Sequence, residues 1–115
     1  MGVNKRKIGK NYEEIAARYL EQEGYEILET NYHCRFAELD LIALDGSCLC
    51  FVEVKYRKSA AFDAPEGVVT KKKMEKNRLG ASFYRSQHGI DDWRPMRFDV
   101  VMIIGNQIQL YKNAF

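Results

Sequence analysis

Residues 38–55 read ELDLIALDGSCLCFVEVK and contain two apolar segments separated by Asp45-Gly46. Apolar segments of this length that flank a turn dipeptide are typical of β-strands, and Asp-Gly is among the commonest hairpin turns. We therefore predict strands over 36–44 and 48–57, joined as a hairpin.

The charged residues of this hairpin follow the two-residue period of a strand. Because side chains alternate between faces, Glu38 and Asp40 share one face of the first strand, and Glu53 and Lys55 share one face of the second. A two-residue loop at Asp45-Gly46 would pair Leu44 with Ser47 and therefore Glu38 with Glu53. A four-residue loop would pair Leu44 with Leu49 and therefore Asp40 with Glu53. Both registers gather three acids and a lysine on one side of the sheet, whereas a three-residue loop would separate them.

Further elements are predicted on both sides of the hairpin. They are a helix over about 9–23, a strand over 25–32, a helix over 66–87, and strands over 96–104 and 107–111. The order α-β-β-β-α-β-β predicts an α/β fold with a mixed central sheet flanked by helices, in one domain over 1–115. The crossover through the second helix implies that the third and fourth strands run parallel if they are neighbours.

Each predicted helix has an apolar side. Tyr12, Ala16 and Tyr19 form a stripe on the first helix, and Leu79 and Phe83 lie one turn apart on the expected buried side of the second. Glu13 borders the first stripe, where an acid is costly without a partner. A metal site is one candidate partner, and a first-turn acid that favours the helix dipole is the alternative.

The composition is that of an ordinary globular chain. It has 115 residues, 46% of them hydrophobic and 30% charged, with a formal net charge of +2. No apolar run approaches the roughly 20 residues of a membrane span, and the N-terminus lacks the apolar core of a signal peptide. We therefore expect a cytoplasmic protein without a membrane partner, whose three cysteines are reduced thiols.

Two basic clusters could hold phosphate despite the small net charge. One spans Lys5 to Lys10 and the other spans Lys71 to Arg78. Solvated surface is the alternative interpretation of both clusters.

The hairpin acids are chemically coherent with phosphodiester hydrolysis. Neighbouring carboxylates repel each other unless a positive group lies among them, and a divalent cation such as Mg²⁺ meets that need. Such a cation can activate a water, and a nearby ammonium can steady the phosphate. A solvated cross-strand ion ladder is the alternative, because a lone Glu-x-Lys in a strand has little specificity.

Beyond these patterns, the sequence resembles a small bacterial family called YraN-like, which is assigned to the restriction-endonuclease-like superfamily with the PD-(D/E)xK motif. The resemblance covers nearly the whole chain. Its segments include EEIAARYL at 13–20, GYEIL at 24–28, AELDLIA at 37–43, FVEVKYR at 51–57, RFDVV at 97–101 and NAF at 113–115. The family usually has glycine before its Glu-x-Asp, and Ala37 stands there in this chain.

The resemblance implies roles for individual residues. Asp40 and Glu53 would be ligands of Mg²⁺ or Mn²⁺, with Glu38 as a further acid of the metal site. Lys55 would be the catalytic lysine, and Glu13 matches an acid on the first helix of archaeal Holliday-junction resolvases. The predicted nucleic-acid contacts are Lys73, which matches a family lysine, together with Lys72, Lys7 and Lys10.

We therefore expect a metal-dependent nuclease acting on DNA, on a branched or single-stranded substrate. A homodimer is compatible with this function, since junction-cleaving relatives are commonly dimers. The alternatives are a non-catalytic nucleic-acid-binding protein that retains a nuclease-like fold, and an interaction protein whose hairpin acids form a surface ladder.

Overall fold

The computed structural model describes the backbone of residues 5–58 and 69–115, with side chains from residue 12 onward. The elements within these residues follow the order α-β-β-β-α-β-β, which confirms the predicted order and the α/β class. They are α1 (Lys5–Gln22), β1 (Glu26–His33), β2 (Glu38–Asp45), β3 (Cys48–Arg57), α2 (Lys71–Gln87), β4 (Met96–Ile104) and β5 (Gln107–Tyr111). The arrangement agrees with a restriction-endonuclease-like fold, and a single domain over 1–115 stays a prediction.

The five strands form one mixed sheet in the order β1-β2-β3-β4-β5. β3 and β4 run parallel, from the pair Leu49 and Met96 to the pair Arg57 and Ile104, and the other neighbours are antiparallel. This confirms the parallel pairing predicted from the crossover. None of the described helices is long and apolar enough to span a membrane.

The turn of the β2–β3 hairpin settles the register. Leu44 pairs with Leu49 and Asp45 pairs with Cys48, so Gly46 and Ser47 form the turn, and Gly46 has a positive φ of 62°. The register that pairs Glu38 with Glu53 was therefore wrong. Continued beyond the last ladder pair, the observed register sets Asp40 opposite Glu53.

The sheet is covered on both faces, so its strands contribute to two apolar layers. On one face α1 places Ala16 and Leu20 over the sheet, and on the other α2 places Ala81 and Tyr84. The strand residues of the α1 layer include Leu41, Ala43, Cys50, Val52, Val101 and Ile103; those of the α2 layer include Leu39, Ile42, Leu49, Phe51 and Phe98. Leu39 and Leu41 lie in different layers although they are two residues apart, so the alternation of side chains breaks between them.

Several predicted boundaries and one predicted face need correction. β2 begins at Glu38 instead of 36, α1 begins at Lys5 instead of 9, and α2 begins at Lys71 instead of 66, although residues 66–68 lie outside the described residues. Leu79 is 54% exposed, so the side of α2 predicted to be buried was wrong. The buried positions of α2 are Asn77, Gly80, Ala81 and Tyr84. Gly80 faces Ala37 and Leu39 closely, since an added Cβ would lie 3.1 Å from the Ala37 Cβ.

The start of α2 is fixed by an N-cap that was not predicted from the sequence. Thr70 is extended, and its side-chain oxygen accepts a hydrogen bond from the backbone N–H of Lys73 at 3.1 Å. We expect Thr70→Ala to lower the free energy of unfolding by about 1 kcal/mol, because one N–H of the first turn loses its acceptor. Urea unfolding would measure the change, and Thr70→Ser, which keeps the hydroxyl, is the control. Equal losses in both variants would contradict a capping role.

A buried polar network fixes the end of the sheet at which β4 begins. Asp99 is 0% exposed and accepts hydrogen bonds from the Tyr25 hydroxyl (3.0 Å), the Arg97 Nε (2.9 Å) and the backbone N–H of Asn113 (2.8 Å). Arg97 also donates to Asp45 at 2.6 Å. The segments RFDVV and NAF therefore meet in a structural network that ties the C-terminal residues to the sheet. The three cysteines are free thiols, as predicted.

Candidate functional site

The candidate site lies where β2 and β3 separate. The paired register of the two strands runs as far as Leu41 and Val52. Beyond that pair, the Asp40 side chain makes the contact between the two strands: its Oδ2 accepts a hydrogen bond from the backbone N–H of Val54 at 2.8 Å. This hydrogen bond, at the end of the β2–β3 pairing, therefore fixes the Asp40 carboxylate against β3, beside Glu53.

Glu53 is a buried acid with two lysine partners. Its side chain is 3% exposed, and its Oε1 lies 3.5 Å from the Lys55 Nζ and 3.2 Å from the Lys73 Nζ. Lys55 shares a face of β3 with Glu53, whereas Lys73 reaches it from the first turn of α2. A buried carboxylate is costly unless it is paired and hydrogen-bonded, so the two ammonium groups stabilise the buried Glu53 carboxylate.

The electrostatics of Asp40 differ from those of Glu53. Burial first, and then the negative charge of Glu53, raise the pKa of Asp40 to about 7, and the Val54 N–H only partly opposes them. Burial lowers the pKa of Lys73, but the carboxylate of Glu53, together with those of Asp40 and Glu38, outweighs this effect, and the pKa is raised overall. Negative charge is therefore in excess around Asp40 and is balanced around Glu53.

Glu13 belongs to the same group of acids. Burial raises its pKa, a hydrogen bond with Asp40 opposes this rise, and the charges of Glu38 and Glu53 add to it. Because α1 begins at Lys5, Glu13 lies in the interior of the helix. The interpretation of Glu13 as a first-turn acid is therefore wrong, and the structure sets it against Asp40.

Glu38 is placed differently from the other acids. Its side chain is 72% exposed, and its Oε1 lies 3.4 Å from the Nδ1 of His33, its partner across the β1–β2 ladder. His33 has no metal-ligand spacing in the sequence that would single it out. The pairing of β1 with β2, which no local spacing reveals, brings it to the rim of the site.

The predicted metal ligands were Asp40, Glu53 and Glu38. Among the described side chains, no three His, Cys, Asp or Glu residues are arranged to hold a metal ion together. Asp40 and Glu53 form the pair whose chemistry fits a divalent cation, because Mg²⁺ is often bound by one or two carboxylates together with waters and substrate phosphates. The excess negative charge at Asp40 is the feature that such an ion would relieve.

The predicted nucleic-acid contacts divide into two groups. Lys73 lies at the site, and Lys72 is exposed beside it in the first turn of α2. Lys7 and Lys10 fall within α1, but their side chains lie outside the described residues.

The raised pKa of Asp40 leads to a pH-dependent stability. Its folded pKa of about 7 lies above the unfolded value of about 3.9. Below both values the folded and unfolded states are equally protonated, whereas above them the folded state must hold a buried charge. The contribution of Asp40 to the free energy of unfolding should therefore fall by about 2 to 4 kcal/mol as the pH rises from about 4 to 7.

Urea unfolding in EDTA, at several pH values, would measure this effect. We expect Asp40→Asn to gain stability relative to the native protein as the pH rises through this window, because asparagine cannot ionise. A difference between the two proteins that stays constant with pH would contradict the assigned electrostatics.

The comparisons with known proteins agree with one another. The profile of the family described as "Uncharacterised protein family UPF0102" matches residues 12–103. A UPF0102 protein of Lachnoclostridium phytofermentans is 40% identical over 113 residues, which cover 98% of this chain and 96% of the relative. A UPF0102 protein of Syntrophus aciditrophicus is 42% identical over 95% of this chain and 88% of its own length. A third, from Legionella pneumophila, is 41% identical over 93% of this chain and 92% of its own. The resemblance to the YraN-like proteins is thereby confirmed, and the chain belongs to the family UPF0102.

Proposed function

We propose that this protein is a metal-dependent nuclease that hydrolyses phosphodiester bonds in DNA. The observation that supports the proposal most strongly is the convergence of Asp40, Glu53 and Lys55 where β2 and β3 separate. Asp40 is held against Val54, while Glu53 contacts the Lys55 ammonium. A bound cation would neutralise the excess negative charge of the carboxylates, and the fixed ammonium would then face the substrate phosphate.

Asp40 and Glu53 would hold Mg²⁺ or Mn²⁺, which would supply a Lewis acid for water activation and for the charge developing on the phosphate. Lys55 shares the Glu53 carboxylate, so its ammonium faces the same space and stabilises negative charge there. Glu13 lies beside Asp40 and would act through that carboxylate. Hydrolysis adds one water across the P–O bond and leaves a phosphomonoester and a free hydroxyl.

The first turn of α2 supplies the phosphate contacts in this proposal. Lys73 already reaches the buried Glu53, and Lys72 is exposed next to it. Lysines bind the phosphates of the DNA backbone independently of base sequence, so they position the strand without recognising its bases.

A metal titration combined with a cleavage assay tests the proposal. At about ten times its dissociation constant, Mn²⁺ or Mg²⁺ should stabilise the native protein by about 1.4 kcal/mol, or roughly 6 °C in melting temperature. Asp40→Asn should show no such shift. The native protein should cleave duplex, single-stranded or branched DNA only with the metal, and Asp40→Asn should not. If the metal neither raised the melting temperature of the native protein nor supported cleavage, the proposal would be refuted.

A non-catalytic nucleic-acid-binding protein is the second candidate, and one observation favours it. Glu53 is already neutralised by two lysines, so it has less need of a cation than Asp40. For this candidate, DNA binding should weaken steeply with salt while no metal supports cleavage.

A further inference from the structure

A cavity adjoins the candidate site on the side of α2. Its volume is about 400 Å³, within the range of small-molecule sites. Its lining comes from the β1–β2 connection, the start of β2 and α2, and includes Arg35, Phe36, Glu38, Lys73, Lys76 and Asn77. Lys73 lines this cavity and also contacts Glu53, so the cavity adjoins the cluster around Glu53.

The walls combine positive charge with an aromatic ring. Three cations and one acid line the cavity. Phe36 is 42% exposed although it meets the edge of Phe83 at 5.7 Å between ring centroids, and the Arg35 guanidinium lies 5.8 Å from the Phe36 ring. A half-exposed ring beside cations is the combination that holds single-stranded nucleic acid, where bases stack and phosphates pair with charge.

Asn77 contributes a buried amide to the same cavity. Its side chain is 3% exposed, and its Oδ1 has no hydrogen-bond partner among the described residues. Such orphaned buried atoms are few in native proteins and call for an explanation. The Cys34 thiol cannot serve Asn77, because it donates to the Ala37 carbonyl at 3.4 Å.

We propose that this cavity receives one unpaired nucleotide of the substrate, its base stacked on Phe36 and its phosphate held by Arg35 and Lys76. The proposal rests on the proposed function only for the neighbouring phosphate, which the cluster around Glu53 would hydrolyse. A base paired in a duplex has both faces stacked and cannot enter, so the cavity selects single strands, overhangs or unpaired junction bases.

Binding without cleavage tests this proposal independently of catalysis. The probe is a short fluorescently labelled single-stranded DNA, measured by anisotropy in EDTA, with a duplex of the same sequence alongside. We expect Phe36→Ala to raise the Kd for the single strand about tenfold, because one stacked base is lost. Phe36→Trp should retain binding, and the duplex Kd should not change.

Trp93→Ala is the matched control. Trp93 is 77% exposed and does not line the cavity, so its removal should leave the single-strand Kd unchanged. An unchanged Kd for Phe36→Ala would overturn the cavity's role even if the protein cleaves DNA. Displacement of the single strand by polyglutamate as readily as by unlabelled DNA would also overturn it, because the cavity would then recognise only acidic chains. Binding that depends on Phe36 in a protein that never cleaves would support the cavity and refute the nuclease alone.

Discussion

Lys55→Met should lower kcat for DNA cleavage by about 100-fold or more, whereas Lys73→Met should act chiefly on KM. Both ammonium groups contact the same oxygen of Glu53, at 3.5 and 3.2 Å, so local geometry alone does not rank them. Their positions in the fold distinguish the two lysines. Lys55 is held on β3 beside the carboxylates, while Lys73 lies at the α2 terminus that also lines the neighbouring cavity.

Steady-state cleavage with Mn²⁺ on one oligonucleotide would separate the two roles. Either variant leaves Glu53 with one lysine, so the buried charge keeps a partner and the fold should survive. Arg94→Met, at a surface cation near the hairpin turn that has no assigned role at the site, controls for a general loss of positive charge. If Lys73→Met lowered kcat as much as Lys55→Met without changing KM, the assignment of Lys55 as the catalytic lysine would be wrong.

Arg97→Met should lower the free energy of unfolding by about 3 to 5 kcal/mol, the largest stability effect we expect. Asp99 is fully buried, and the Arg97 Nε lies 2.9 Å from its Oδ1. Without the guanidinium, Asp99 keeps hydrogen bonds from Tyr25 and Asn113 but loses its only charged partner among the described residues. Methionine keeps much of the side-chain volume, so the loss reports charge rather than packing.

Denaturant unfolding near pH 7 would measure the effect of Arg97→Met. Arg94→Met is the control, because Arg94 donates to the Ser47 carbonyl on the surface and should contribute less than about 1 kcal/mol. The double variant Arg97→Met with Asp99→Asn should recover part of the loss, since it removes the uncompensated charge. An Arg97→Met protein as stable as the native one would contradict a stabilising role of the Arg97–Asp99 ion pair.

The amino-acid sequence by itself determined the order of the elements and the residues that could do chemistry. Strand period and the Asp-Gly turn indicated the hairpin, and the stripe through Ala16 indicated the buried side of α1. These signals are local, since each depends on residues a few positions apart. The same locality explains the error at Leu79, because the spacing of two apolar residues does not reveal which side of a helix meets the sheet.

Only the tertiary structure decided which of those residues meet. The hairpin register set Asp40 opposite Glu53, and the crossover through α2 brought Lys73 to Glu53 from 20 residues away in the sequence. The packing of α1 against the sheet carried Glu13 to Asp40 and raised the pKa of both. Burial and charge act between groups that are close in space, so the environment of a carboxylate depends on the whole sheet and both helices.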